Sequence, residues 1–476
     1  MFQRIFMTTY KSNSRLPWAM LPTIMALAWP TMLEQLMQTA VQYIDTAMVG
    51  TLGTEATAAV GATTTVNWLV GSTISAIGVG FLAFIAQAIG AGKDQEIKKA
   101  SAQAVLSTLV VGIFFTVLTL SLSNMVPVWM QVDPAIQRDA ALYFFILYTP
   151  MLPRTATIIF GTMLRAAGDT KTPMWVGIWT NIINVVLNFL MIYPTRTVQL
   201  FSMEFTVYGA GWGIAGAAIA SAVAITIGGV IISVALWRHP QVSPKGQSIK
   251  PDLTILKPCM KVAYPNALQR FGTSLGYVAF AAMVNSLGGV ATAAHTIANT
   301  VESAFYIPGY GMQTAAATLA GNALGAKDEK RIRDLAKMIL IIEIALMIVS
   351  GGLLFAFARP MVSIFSADEA VIALGTTVLC MVALSEPFYG VSIIIEGMMQ
   401  GMGKTVMPFV CNIVGMWGIR IVGTFICTQL CGMGLVSAWA CMILHNLMLF
   451  VMFGYYYVSG RWNPLRSKKK AKVLNT

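Results

Sequence analysis

Twelve apolar runs dominate the chain, near residues 18–48, 57–89, 101–123, 139–163, 173–193, 211–237, 258–284, 291–324, 336–357, 370–400, 406–428 and 434–459. Each can cross the ~30 Å hydrocarbon core of a bilayer, which takes about 20 helical residues. Lipid offers backbone N–H and C=O groups no partners, so such runs must satisfy them internally as helices. The expected fold is therefore an all-α polytopic membrane protein with twelve transmembrane helices. Composition agrees: 11% of residues are charged, against about 25% in a soluble domain, and the mean hydropathy is +0.71. The first, second and eighth runs are long enough to require tilt or projection beyond the bilayer. The segment before Pro17, with Arg4, Lys11 and Arg15, lacks the small-residue cleavage site of a removable signal peptide.

The net charge of +12 is a topological signal and not a nucleic-acid footprint, because the 31 Lys and Arg lie between apolar runs, mostly on alternate connections. With the N-terminus in the cytoplasm, the inside segments, counted with Lys261 and Lys337 at the adjoining span ends, hold 25 of them and the outside loops hold Arg138, Arg196 and Arg359. Arg154, Arg270 and Arg420 fall within spans. Basic residues accumulate on the cytoplasmic side. Both termini are expected there, in a plasma membrane, with the Glu55, Asp133 and Glu204 loops outside. The basic stretch from Arg461 to Lys472 reads as an anchor to lipid headgroups.

Shifted by 235 residues, the first half lies over the second with almost no gaps. Pro30 falls on Pro265, and AMVGTLGTEATAA from Ala47 falls on AMVNSLGGVATAA, identical at nine of thirteen positions. GAGKDQE at Gly90 meets GAKDEK at Gly325, Asp133 meets Asp368, and GDTKTP at Gly168 meets GKTVMP at Gly403. Six spans per unit bring both halves in from the same side, related by a pseudo-two-fold along the membrane normal. The chain divides into an N-lobe (1–237), a cytoplasmic linker (238–257) marked by Pro240, Pro244, Gly246 and Pro251, a C-lobe (258–459) and a basic tail (460–476). Two facing bundles enclose a central cavity, and rocking one against the other favours a transporter over an enzyme or scaffold.

Signals of soluble chemistry fail on inspection. GMGKT at Gly401–Thr405 would need a first phosphate-loop glycine where Met398 stands, and its repeat partner GDTKT makes it a turn between helices. Cys259, Cys380, Cys411, Cys427, Cys431 and Cys441 have no His at ligand spacing and read as small buried hydrophobes, with a Cys427–Cys431 bridge as the alternative.

Ionisable groups inside spans cost about 2.5–3.5 kcal/mol each on insertion scales and mark function by default. In span 1, Glu34, Gln38, Gln42 and Asp45 step by four, four and three, which places them on one helical stripe facing a cavity or a neighbouring helix. Span 5 carries Asn181, Asn184 and Asn188 on one face, and span 6 adds Ser221 after GIAGAAIA. Carboxylate and amide oxygens suit a hard cation, and a lone desolvated carboxylate equally suits a proton. Interhelical hydrogen bonding is the plainer alternative for the asparagines. The second half differs: its spans hold Arg270, His295, Glu302, Glu343, Glu386, Glu396, Arg420 and His445, and Phe280 stands where the repeat would place Asp45. Arg270 and Arg420 are expected to neutralise glutamates such as Glu386 or Glu396, with direct substrate contact as the alternative. Arg270 and Tyr277 join Glu34, Gln38, Gln42 and Asn181 as candidate pathway residues.

The chain resembles, over essentially its full length, the multidrug and toxic compound extrusion (MATE) family of cation-coupled antiporters. The resemblance rests on WPTMLEQLMQTAVQYIDTAMVG in span 1, LRAAGDTKTP leading into NIINVVLN, GIAGAAIAS in span 6, and ATAAHTIA with LGAKDEKRI in the second half. It implies two six-helix lobes, open to one side at a time, expelling amphipathic and often cationic compounds in exchange for sodium ions or protons. It further implies that Asp45, fifteen residues after Pro30, is the coupling residue, that Asn184 is a cation-site asparagine and that Ser221 supplies a hydroxyl. Asn188 departs from members with a second aspartate there. Thr273 and Tyr389 stand where the NorM branch is acidic in helices 7 and 10, so the chain is more similar to the DinF-like branch.

Two other functions compete with efflux. A lipid-linked oligosaccharide flippase of the wider superfamily commonly has fourteen helices, and a lipid-modifying enzyme would need a catalytic cluster that no His–Asp or paired-His motif supplies. With Asp45 as the only carboxylate of its cluster, a proton is favoured as the driving ion, and sodium at Asp45 stays open because amide oxygens also ligate it. No cofactor and no structural metal are expected. The expected partners are small organic substrates and membrane lipids, with the chain as a monomer.

Overall fold

The computed structural model describes residues 18–130, 132–200 and 203–466. The tail before Trp18, most of the basic tail after Arg466 and the side chains of Glu55 and Glu204 lie outside the described set. The N-terminal half contains α1 (Leu21–Gly50), α2 (Thr54–Gly90), α3 (Asp94–Ser121), α4 (Gln137–Tyr148), α5 (Met151–Ala166), α6 (Lys171–Met191), the strands β1 (Pro194–Leu200) and β2 (Met203–Ala210), and α7 (Gly213–Arg238). The C-terminal half contains α8 (Leu253–Asn285), α9 (Gly289–Gly325), α10 (Glu329–Phe365), α11 (Glu369–Ala383), α12 (Glu386–Gly401), α13 (Val406–Leu430) and α14 (Leu435–Val458).

Among the described residues, seven helices are long and apolar enough to cross a membrane alone: α2, α3, α6, α7, α10, α13 and α14. The pairs α4–α5 and α11–α12, bent by 50° and 53°, each form one more, broken span. The breaks fall at Pro150, which has no backbone donor to continue the ladder, and at its repeat mate Ser385. The remaining three helices, α1, α8 and α9, have 30, 33 and 37 residues, long enough to span but too polar by the same measure. They carry Glu34, Asp45, Arg270 and Glu302, so their low hydropathy marks helices that turn a polar face away from lipid. These complete the twelve spans. Elsewhere the outside is greasy: on α3, Val110, Ile113, Phe114 and Val117 are all more than half exposed, a surface stable against hydrocarbon and not against water.

The repeat survives into backbone detail. Thr54 and Gly289, Asp94 and Glu329, Met151 and Glu386, and Lys171 and Val406 each begin equivalent helices 235 residues apart. The left-handed turn before α3 uses Gly92 (φ 68°), and its mate before α10 is Lys327, held at φ 57° without glycine's freedom. Gly403, in the motif resembling a phosphate loop, sits at φ 77° in the turn between α12 and α13, as a plain turn requires. One departure corrects the single-shift expectation. The segment expected as a plain outside loop is an antiparallel hairpin of β1 and β2, absent from the second half, so α7 and α14 begin 222 residues apart.

The lobes meet at the linker-side ends of α2 and α9. Gly90 packs on the Asn322 carbonyl, and its mate Gly325 packs on the carbonyl of Gln87, itself the mate of Asn322. A reciprocal contact of this kind is what a two-fold axis imposes. On the same side Gln87 Nε2 donates to the Gly401 carbonyl at 3.0 Å, and Thr31 Oγ1 donates to the Gly311 carbonyl at 3.1 Å. Towards the other face, Gln38, Gln42 and Tyr277 are exposed, and Tyr43 Oη reaches the Thr300 carbonyl at 3.3 Å. The lobes are therefore in contact at both levels, through backbone on the linker side and through Tyr43 on the other.

Candidate functional site

Four polar side chains gather inside the N-lobe, in the half of the bundle away from the linker. Asp45 lies near the end of α1, Asn184 and Asn188 are one turn apart on α6, and Ser221 is on α7. The small residues of GIAGAAIAS allow this: Gly216 rests against the Met191 carbonyl, where a Cβ would collide, so α7 closes tightly on α6. Asn188 Nδ2 donates to Asp45 Oδ1 at 2.7 Å and lies 3.3 Å from Asn184 Oδ1. Asn184 meets Ser221 Oγ at 2.9 Å. With its amide turned over, Asn184 donates to Asp45 Oδ1 and Oδ2 at 2.9 and 3.0 Å and accepts from Ser221 at 2.9 Å, which satisfies both groups. Asn188 is 1% exposed, and its Oδ1 has no hydrogen-bond partner. The cluster is thus one carboxylate, two amides able to present either nitrogen or oxygen, and a hydroxyl.

The rest of the span 1 stripe separates. Glu34 is buried and accepts from Arg165 Nη2 at 2.6 and 2.7 Å, an ion pair at the linker end of α5. Gln38 and Gln42 are exposed, and Asn181 stays outside the Asp45 cluster with its Nδ2 unpaired. Arg165 lies two residues past the apolar run that ends near 163, so the sequence assigns it to a cytoplasmic connection. The signal that would have found it is a basic residue one turn before a Gly-Asp turn, paired with an acid in an adjacent polar span.

In the C-lobe the expected pairing of Arg270 and Arg420 with Glu386 or Glu396 is not formed as a salt bridge. Arg270 Nε donates to Asn266 Oδ1 at 2.8 Å, while Glu396 accepts from the amides of Gln269, Gln400 and Asn412. Arg420 lies over the rings of Phe280 (4.1 Å) and Tyr277 (5.0 Å), so the residue at the repeat position of Asp45 becomes part of a cation–π support. Tyr277 stays about half exposed, at 49%. Thr273 Oγ1 bonds back to the Gln269 carbonyl at 2.9 Å, and Tyr389 shares a 3.0 Å hydrogen bond with Tyr310, so neither position contributes a carboxylate. Cys259, Cys411 and Cys441 are buried as expected, but Cys431 is exposed. Cys427 Sγ lies 4.0 Å from Cys441 Sγ and is not bonded to Cys431, and all six thiols are free.

A twelve-span bundle of two pseudo-symmetric lobes, with a carboxylate–amide cluster inside one of them, has the build of a secondary membrane transporter. The chain belongs to the MatE family, whose profile matches it twice, over residues 30–190 and 265–426. Each match begins at Pro30 or at its repeat mate Pro265. The chain is 26% identical, over 95% of both sequences, to the "Probable multidrug resistance protein NorM" of Thermotoga maritima. It superposes with a TM-score of 0.86 on a crystal structure of MATE in complex with MaL6, at 20% identity over 94% of this chain and 97% of that one. An outward-facing multidrug resistance MATE transporter of the MOP superfamily matches with a TM-score of 0.85, at 20% identity over 93% and 96%. These structures establish the fold. The protein is a multi-pass membrane transporter and not an enzyme.

Proposed function

We propose that the protein exports amphipathic, often cationic, organic compounds in exchange for an ion bound at Asp45. The observation that carries this reading is the gathering of Asp45, Asn184, Asn188 and Ser221 inside the N-lobe. The multidrug resistance name of the Thermotoga relative supports the substrate class. Asp45 alternately takes up the ion and releases it as substrate leaves or binds. When the carboxylate is free, Asn184 and Asn188 direct N–H groups at it; when a cation occupies it, the same amides can turn their oxygens inward.

A proton is the favoured ion. Sodium must be stripped of water and surrounded by several oxygens at once, and the cluster has one carboxylate to offset that cost. The Asn188 N–H aimed at Asp45 is a donor to the carboxylate and not a ligand to a metal. Purified protein loaded with a fluorescent cation should release it when the side away from the linker is acidified in sodium-free buffer. Release triggered by sodium alone at every pH would reverse the assignment.

The excess of basic residues on the linker side supports a cytoplasmic linker and cytoplasmic termini. Single cysteines placed at 245–250 should resist a membrane-impermeant maleimide in intact cells and label after permeabilisation. Ready labelling in intact cells would invert the topology.

A further inference from the structure

The C-lobe buries three carboxylates that the cycle above does not use. Glu302 on α9, Glu343 on α10 and Glu386 at the start of α12 are 6%, 0% and 1% exposed. Glu343 Oε1 occupies a slot between two glycines, so close that a Cβ on Gly309 or Gly390 would crowd it. Gly309 lies two turns beyond Glu302 on α9, and Gly390 lies one turn beyond Glu386 on α12. The slot therefore opens between the helix faces that carry the other two acids. Glu386 interacts electrostatically with both Glu302 and Glu343.

Compensation within the trio is unequal. Glu302, His295 and His445 all lie within electrostatic reach of the Arg420 guanidinium on α13. Glu386 has one buried oxygen, Oε2, without a hydrogen-bond partner, but it occupies the first turn of α12, where the partial positive charge of a helix N-terminus favours a carboxylate. Tyr306 on α9 is also within electrostatic reach of Glu302 and Glu386. Glu343 has no such support: both of its oxygens are buried without a hydrogen-bond partner. A bare ion there is strongly disfavoured, whereas a neutral carboxylic acid is tolerated. Among the described residues no three His, Cys, Asp or Glu side chains converge as a metal site. The cation that fits a lone carboxylate in a glycine slot is a proton.

We propose that Glu343 is a second proton-binding site, separate from Asp45, with Glu302 and Glu386 as positioning residues that set when it is occupied. The step is the addition of one proton to the carboxylate and its return, with no other bond made or broken. Movement of α9 or α12 would change the distance from Glu343 to the neighbouring negative charges, so occupancy would follow the conformation of the C-lobe. This rests on the antiporter reading, and the test is chosen to separate the two.

The full-length protein is titrated in sodium-free buffer while infrared difference spectra follow the carbonyl stretch of protonated carboxyl groups, identified by its shift in D2O. Asp45→Asn is expected to leave a protonated-carboxyl band that Glu343→Gln removes, whether or not the protein couples efflux to protons. Glu386→Gln, which takes away a neighbouring acid, should shift that band without removing it. Should Glu343→Gln fail to fold, Glu343→Asp should move the band. A band unchanged by a folded Glu343 variant overturns the proposal, as does loss of the band of the Asp45→Asn protein when sodium is added at constant pH.

Discussion

Asp45→Asn is expected to abolish gradient-driven efflux while the protein still folds and inserts. The substitution removes the one carboxylate of the N-lobe cluster but keeps its shape, and the new amide oxygen can still accept from Asn188, now 2.7 Å from Asp45 Oδ1. The change in stability should be about 1 kcal/mol, the net worth of one hydrogen bond. Uphill transport should fall to background, because a neutral amide neither takes up a proton nor offsets a cation's lost water. Proteoliposomes carrying a proton or a sodium gradient read the transport, and thermal melting reads the fold. Uphill efflux at the wild-type rate would remove Asp45 from the mechanism.

The second large effect is expected at the crossing of α2 and α9. Gly90 and Gly325 touch backbone across the interface, so a side chain at either one meets a carbonyl that cannot rotate away. Overpacking costs about 1–3 kcal/mol even where neighbours can shift. Gly325→Leu should therefore disfavour the arrangement closed at the linker side by roughly tenfold or more, since each 1.4 kcal/mol is a factor of ten. Gly90→Leu should act alike, because the contacts are mates. Spin labels in the two turns that follow these glycines, measured by pulsed dipolar spectroscopy, should move to longer distances, and efflux should fall with them. An unchanged distance distribution in a folded Gly325→Leu protein would show that the crossing does not govern closure.

Most of the architecture was legible because membrane physics writes it in runs of about 20 apolar residues. The stripe on α1 also identified Asp45, and the asparagine spacing identified its α6 partners. Three features were not legible, each for its own reason. The hairpin of β1 and β2 is short, and a search for long apolar runs passes over it. The breaks at Pro150 and Ser385 lie inside apolar stretches, where no change of composition announces a bend. The Glu34–Arg165 pair depends on how far α5 reaches below the membrane, because its basic member was counted with the loop. In the C-lobe, sequence supplied the charges but not their pairing. Arg420 settles on aromatic rings and Glu396 on amides, alternatives that no charge count distinguishes.

The winding of α13 limits what can be copied from one lobe to the other. Its mate α6 is regular α-helix, whereas α13 passes through π-helical stretches at Val414–Ile421 and Ile426–Leu430. A π-turn accommodates a surplus residue, and each surplus residue rotates everything beyond it by about 100°. Arg420 is the numerical mate of Val185, yet Arg420 is buried while Val185 lines a groove on the outer surface. An engineer transplanting the Asp45 cluster by writing Asp at Phe280 and Asn at Ile419 and Gly423 would therefore obtain the right letters in the wrong phase. The graft would first require excising the residues that the π-turns absorb.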